Sequence, residues 1–353
     1  MRIKRYIIYL FFFLSTLFWP FSWFLLGFCL DYVGFFLKYT GGTLRCIPIR
    51  AQRFFMINTF KGILSATILA INTLIMVPLL LIFALLKLVL AWPSSRRFLS
   101  KVLTWIATLW VSINSGSFRL IHGDKIKLKN MPDLSMDQWY LVVSNHQSTA
   151  DIPILQAAFN RRIPFLKFFL KQELIWVPLL GLAWWALDFP FMKRYSRAKL
   201  EKHPHLRGKD MEQTQRSCEK FKHFPTAVIN FVEGTRFTPK KQQRQQSPYT
   251  HLLKPKAGGL GYVLGSMGEC MNQLLLVTLA YRPQVPGFWD YLCGNFEAVE
   301  VLCEKIVIPD TLLNKNYQID EKFRAELFKW SEKMWYKQDD KLKAFYERSN
   351  IQD

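Results

Sequence analysis

The chain has 353 residues, 50% of them hydrophobic and 16% aromatic, with a formal net charge of +21 from 47 Lys and Arg against 26 acids. That length holds one large domain or two small ones, and the basic excess calls for a polyanionic partner, either nucleic acid or an anionic membrane with phosphorylated substrates. Long apolar runs favour the membrane, and the sequence shows no zinc-finger spacing, helix-turn-helix or RNA-binding signature, which argues against nucleic acid.

In chain order, Met1 to Arg5 is basic and Tyr6 to Leu30 is uncharged, longer than the ~20 residues a membrane helix needs. A secretory signal would show a shorter apolar core and a small-residue cleavage site, so residues 6–30 are predicted to be a membrane segment, kinked at Pro20. Asp31 to Lys61 is a basic connector. Gly62 to Leu86 is a second uncharged run, interrupted by Pro78, where a re-entrant bend fits. If both runs spanned, Lys38, Arg45, Arg50, Arg53 and Lys61 would lie on the outer face, against the positive-inside tendency. Two readings avoid this: residues 62–86 enter and leave one leaflet, or synthesis starts at Met56. Leu103 to Ile113 is amphipathic enough for the headgroup layer or for a core.

From Phe118 onward, β-like runs (118–121, 140–143, 226–232, 274–281, 297–308) alternate with helical ones (152–160, 211–221, 258–267). Such alternation predicts an α/β domain around a mostly parallel sheet flanked by helices, with loops at strand ends carrying the chemistry. The expected division is an extension over 1–61, membrane-embedded or interfacial helices over 62–115, an α/β domain over 116–310 and a helical C-terminal segment over 311–353. Lys240 to His251 reads as a mobile or solvated loop, and Phe323 to Arg348 as a charged helix with one apolar stripe. Six scattered cysteines predict reduced thiols on the cytosolic side and no metal site, and no cofactor is expected.

Two segments carry candidate chemistry. Tyr140 to Val143 reads as a buried strand that ends at Ser144 and Asn145 and delivers His146 to its mouth; Asp151, just before Pro153, reads as a helix start. Its carboxylate can fold back on His146, making a general base; the alternative is a loop histidine with an aspartate helix cap. Thr226 to Val232 has the same form, a β-rich run broken by Glu233, Gly234, Thr235 and Arg236. The glycine permits close approach of a ligand, and the guanidinium can grip a phosphate.

His-x-x-x-x-Asp and Glu-Gly-Thr-Arg together resemble the glycerolipid acyltransferase family, whose members acylate lysophosphatidic acid. The likeness runs through Lys171–Leu174, Val177–Gly181, Asp188–Arg194 and Leu253–Gly259, covers roughly residues 60 to 345, and is nearest to the bacterial YihG-type acyltransferases. Where many relatives have a proline-containing fourth block, this chain has Leu276 to Tyr281. The resemblance implies a glycerol-3-phosphate-acyltransferase-like fold and transfer of an acyl chain from acyl-CoA or acyl carrier protein to a lysophospholipid acceptor. It also implies a place at the cytoplasmic face of a bacterial inner membrane, on anionic phospholipid. His146 would be the base and Asp151 its orienting partner. Glu233, Gly234, Thr235 and Arg236 would bind the acceptor, with Lys171 and Lys256 as further phosphate candidates. Val177, Pro178 and Gly181 would shape the acyl tunnel, while Trp184 and Trp185 either line it or pack in the core. Acyltransferases for other lysophospholipids such as lysophosphatidylglycerol, and a catalytically idle binder of anionic membranes, are the competing functions.

Overall fold

The computed structural model describes residues 49–90, 92–177, 179–192, 221, 224–317 and 319–352. The expected membrane segment 6–30, Pro178, and the basic stretch from Lys199, including most of the helix expected over 211–221, lie outside these residues.

Helix α1 runs over Ile49–Val89 and α2 over Pro93–His122. Sequence reasoning expected a bend at Pro78, but the helix continues through that residue. The reversal comes instead just before Pro93, a residue suited to a helix's first turn because its missing N–H needs no partner there. The two helices pack antiparallel. Ser65 Oγ lies 3.0 Å from His122 Nε2, Asn72 Nδ2 donates to Asn114 Oδ1 at 2.8 Å, and Trp110 Nε1 donates to Thr73 Oγ1 at 3.1 Å. Phe55–Val89 is long and apolar enough to cross a membrane, and 22% of its most apolar window is buried in the protein. Phe118 to Ile121, expected as a strand, is the last turn of α2, where Phe118 stacks on Tyr291 with centroids 4.4 Å apart. That stacking outweighs local strand propensity.

Beyond the hairpin lies a six-stranded sheet. Its strands are β1 (Ile126–Lys129), β2 (Tyr140–Ser144), β3 (Leu166–Phe168), β6 (Ala227–Asn230), β7 (Gln273–Arg282) and β8 (Ala298–Val307), in the spatial order β1-β8-β7-β2-β6-β3. Every neighbouring pair is parallel except β7 and β8, so the sheet is mostly parallel, as expected. β4 (Leu170–Lys171) and β5 (Phe191–Met192) form a separate short pair.

Both faces of the sheet are covered, which is why its inner strands are apolar throughout. Alternation along β7 sorts its side chains. Leu275, Val277, Leu279 and Tyr281 enter one core with the α1–α2 hairpin, helix α3 (Asp151–Phe159) and helix α4 (Leu180–Ala186). Leu274, Leu276 and Ala280 enter the other with helix α6 (Gly258–Met267) and the C-terminal helix α8 (Glu321–Gln352). The expected loop over Lys240–His251 begins as a short helix, α5 (Pro239–Gln245), capped by Thr238, whose Oγ1 accepts from Lys241 N. The helix α7 (Phe288–Cys293) links β7 to β8.

Candidate active site

β2 and β6 run side by side in the same direction, with Val143 paired to Asn230. The loops after them therefore leave the sheet at one edge and meet there. Open parallel sheets place their ligands at this edge, outside the carboxyl ends of the strands. Phe237 N donates to His146 O at 2.7 Å, which ties the two loops together.

His146 and Asp151 are brought into contact, with Nδ1 2.8 Å from Oδ2. The carboxylate is fully buried and closely held: Oδ2 also accepts from Gln147 N at 2.7 Å and Ser148 N at 3.0 Å, and Oδ1 accepts the Tyr281 hydroxyl. Four donors on one carboxylate fix its position and orientation. An imidazole whose Nδ1–H is given to this carboxylate presents Nε2 as a free acceptor, and among the described residues Nε2 makes no hydrogen bond. One ring face stacks on Phe231 at a centroid distance of 4.1 Å and an angle of 19°. The imidazole is thus fixed in tautomer and orientation while remaining partly open to solvent.

Asn145, immediately before the histidine, is buried and acts as a false strand residue. Its Nδ2 donates to Leu279 O at 2.9 Å and its Oδ1 accepts from Leu279 N at 2.8 Å, extending the β2–β7 ladder through a side chain.

Of the residues expected to hold the acceptor, Glu233 is wholly buried and turns both oxygens to backbone. Oε1 accepts from His146 N and Oε2 from Leu253 N, each at 2.9 Å. Burial pushes its carboxyl up to about 8, against the pull of those two N–H groups. Its place in this structure is behind His146 as a tie between loops. Gly234 has φ +68°, the left-handed region that glycine occupies without strain, and the Lys256 ammonium lies where a side chain at 234 would project, 3.4 Å from that point. Thr235 Oγ1 and Arg236 O both accept from Lys241 Nζ at 2.8 Å. The side chain of Arg236 is exposed, as are Lys254 and Lys256. Lys171 is exposed on β4, which belongs to the two-stranded pair rather than the main sheet.

An apolar cavity of about 140 Å³ lies on the hairpin side of the sheet, lined by Val77, Leu80, Ala107, Ile152, Phe168 and Ala183 among others. Phe168 stacks on Phe231, 6.4 Å between centroids, and Phe231 stacks on His146, so two rings connect the cavity wall to the imidazole. Val177 and Gly181, expected to shape an acyl channel, do not line this cavity; their neighbours Leu180, Ala183 and Trp184 do. Gly181 instead lets α4 close on the preceding turn, since a Cβ there would sit 2.1 Å from Ile175 O. Trp185 is half exposed.

Tyr281, Lys241 and Phe231 escaped sequence reasoning. Tyr281 was met only as the end of an apolar run, and nothing near it in sequence points to Asp151, 130 residues away.

These features define an α/β domain with a carboxylate-held imidazole at a parallel strand mouth, beside an apolar cavity and a group of cations. In keeping with this, residues 125–280 match the Acyltransferase family model. "Lysocardiolipin acyltransferase 1" of Gallus gallus is 21% identical over 259 residues, 69% of this chain and 63% of that protein, so this chain spans less than two thirds of its relative. Among solved structures, the 1-acyl-sn-glycerophosphate (LPA) acyltransferase PlsC from Thermotoga maritima is similar with a TM-score of 0.46 and 18% identity, covering 84% of this chain and 98% of that one.

Proposed function

We propose that this protein is a membrane-bound acyltransferase that moves a fatty acyl chain from a thioester, acyl-CoA or acyl carrier protein, to the free hydroxyl of lysophosphatidic acid. The observation that carries the reading is the His146–Asp151 pair with its free Nε2, set beside an apolar cavity. Nε2 takes the proton of the acceptor hydroxyl as its oxygen attacks the thioester carbonyl. The tetrahedral adduct collapses, the carbon–sulfur bond breaks, and the departing thiolate recovers the proton from the imidazolium. The products are an ester and a thiol, and no acyl-enzyme is required. Asp151 stabilises the imidazolium formed in between, and such base catalysis contributes about 10²–10⁴ in rate.

On this reading Glu233 acts through the His146 backbone, while Arg236, with Lys256 over Gly234, receives the acceptor phosphate. Lys171 is a further basic contact. The apolar cavity takes part of the acyl chain, with Leu180, Ala183 and Trp184 at its wall. The YihG-type likeness of Lys171–Leu174 and Leu253–Gly259 supports a place at the cytoplasmic face of a bacterial inner membrane. The exposed apolar residues of α1, such as Ile71, Ile75, Ile82 and Leu85, supply an anchor in lipid. The likeness to the chicken lysocardiolipin acyltransferase supports a second reading, in which the acceptor carries a larger phosphorylated headgroup.

The test offers purified protein a panel of lysophospholipids with acyl-CoA and acyl carrier protein donors, reading products by mass spectrometry. Phosphatidic acid from lysophosphatidic acid, lost in a folded His146→Ala variant, is the expected result. No acyl transfer to any acceptor, or full turnover by His146→Ala, would overturn the proposal.

A further inference from the structure

We propose that the C-terminal helix α8 is a positioning element for His146, working through Trp335, Gln338, Asp339 and Tyr346. This rests on the reading of His146 as the base. The helix lies beyond residues 125–280, which match the family model.

The four residues recur at helical spacing and so share one face of α8. That face is unusual in pairing polar groups with backbone rather than only burying apolar surface. Trp335, buried, donates Nε1–H to Leu253 O at 3.0 Å. Asp339, also buried, accepts from Thr250 N at 2.8 Å and His251 N at 2.7 Å. The loop from Thr250 to Leu253 is thereby held at three backbone atoms. From the same loop Leu253 N donates to Glu233 Oε2, and Glu233 Oε1 accepts from His146 N, each at 2.9 Å. One continuous path of hydrogen bonds joins α8 to the backbone of the base.

A second path is shorter. Gln338, fully buried, donates Nε2–H to Val277 O at 2.7 Å and reaches Asn145 Oδ1 at 3.4 Å. The ring of Tyr346 packs against that of His251, 4.8 Å between centroids. The residue before His146 is therefore in contact with α8, and so is the loop that holds Glu233. The carboxylate of Asp151 fixes the ring, and α8 fixes the backbone from which the ring projects. Small misplacements of a base relative to its substrate are costly in rate, and that cost falls on turnover rather than on substrate affinity.

The experiment uses the full chain and pairs kinetics with amide hydrogen exchange. Trp335→Phe keeps the ring and removes one donor; Asp339→Asn keeps the shape and removes the charge. Each is expected to lower kcat by about 3- to 10-fold, the scale of one or two hydrogen bonds, with KM for both substrates within about 2-fold of wild type. Exchange should quicken in peptides covering 144–148 and 250–254 and stay unchanged in β7. Glu347→Gln, at an exposed α8 position, should behave as wild type. Unchanged exchange over 144–148 in both folded variants would overturn the proposal, as would faster exchange there with wild-type kcat. If the wild-type protein transfers no acyl group, the proposed function fails, and the exchange result alone decides whether α8 positions the His146 loop.

Discussion

Tyr281 donates its hydroxyl to Asp151 Oδ1, on the opposite side of the carboxylate from His146. The two residues meet because β7 continues past the end of β2: Ser144 pairs with Val277, and Tyr281 is four residues further along, level with the start of α3. Period-two alternation puts Tyr281 on the α3 side of the sheet. The carboxylate that orients the His146 ring is itself oriented by a strand that the sequence offered only as an apolar run.

Tyr281→Phe tests this relationship. It removes one donor and leaves the ring, so three donors to Asp151 remain and the site survives. A hydrogen bond to a charged group is worth about 1.5–3 kcal/mol, and the variant should lose stability on that scale, measured by denaturant unfolding in detergent. The Asp151 carboxylate, released from one of its donors, should hold the imidazole less rigidly, so kcat should fall by about 3- to 10-fold with KM little changed. Wild-type kcat with wild-type stability would show that the contact does nothing for His146.

Arg236 and Lys256 are exposed cations beside Gly234, and each should act on the acceptor's phosphate alike in ground and transition states. Arg236→Ala and Lys256→Ala should each raise KM for the phosphorylated acceptor by about 10-fold, the scale of one charge-assisted hydrogen bond, with kcat little changed. A fall in kcat at constant KM would place either residue in the chemistry instead.

The elements legible in the sequence were those whose signal is local. The run Tyr140–Ser144 is a fully buried strand, and His146 with Asp151, five residues apart, needs only one turn to close. The hydrogen bonds of Glu233 were not legible, because a carboxylate beside a glycine and an arginine reads as a ligand group. Its partners, the N–H groups of His146 and Leu253, are 87 and 20 residues away and carry no side-chain signal. The helix at Pro239–Gln245 was missed among glutamines, although Thr238 followed by proline marks a helix start. Phe118–Ile121 looked like a strand because aromatic and β-branched residues suit either a sheet or a packed helix.

Glu233 gives the fold a pH dependence whose sign is fixed. Its carboxyl is raised from an ordinary 4.5 to about 8, chiefly by burial, so the folded chain holds this proton more tightly than the unfolded one. The stability this contributes is complete below about pH 4.5 and is lost as pH rises through about 8. Glu233→Gln removes the titration. The stability advantage of wild type over the variant should therefore shrink steadily between pH 5 and pH 9, read from unfolding midpoints in the same detergent. Parallel pH curves for the two proteins would refute the assignment.

The cavity makes the last prediction. Its wall includes Ala107 from the hairpin and Ala183 from α4, both buried. A larger side chain at either position takes volume from any acyl chain that enters, without touching His146 or the cations. Ala183→Leu and Ala107→Leu should each shift donor preference toward shorter chains. At ~0.8 kcal/mol per buried methylene, excluding two methylenes changes the ratio of kcat/KM for long over short donors by roughly 10-fold. Overpacking is a separate hazard that costs about 1–3 kcal/mol of stability, but it would lower activity on all donors together rather than change their ranking. Competition between donors of different length in one reaction, with products separated by mass, isolates the ranking. If both folded variants keep the wild-type order of chain lengths, the acyl chain lies elsewhere and the cavity is a packing feature of the hairpin.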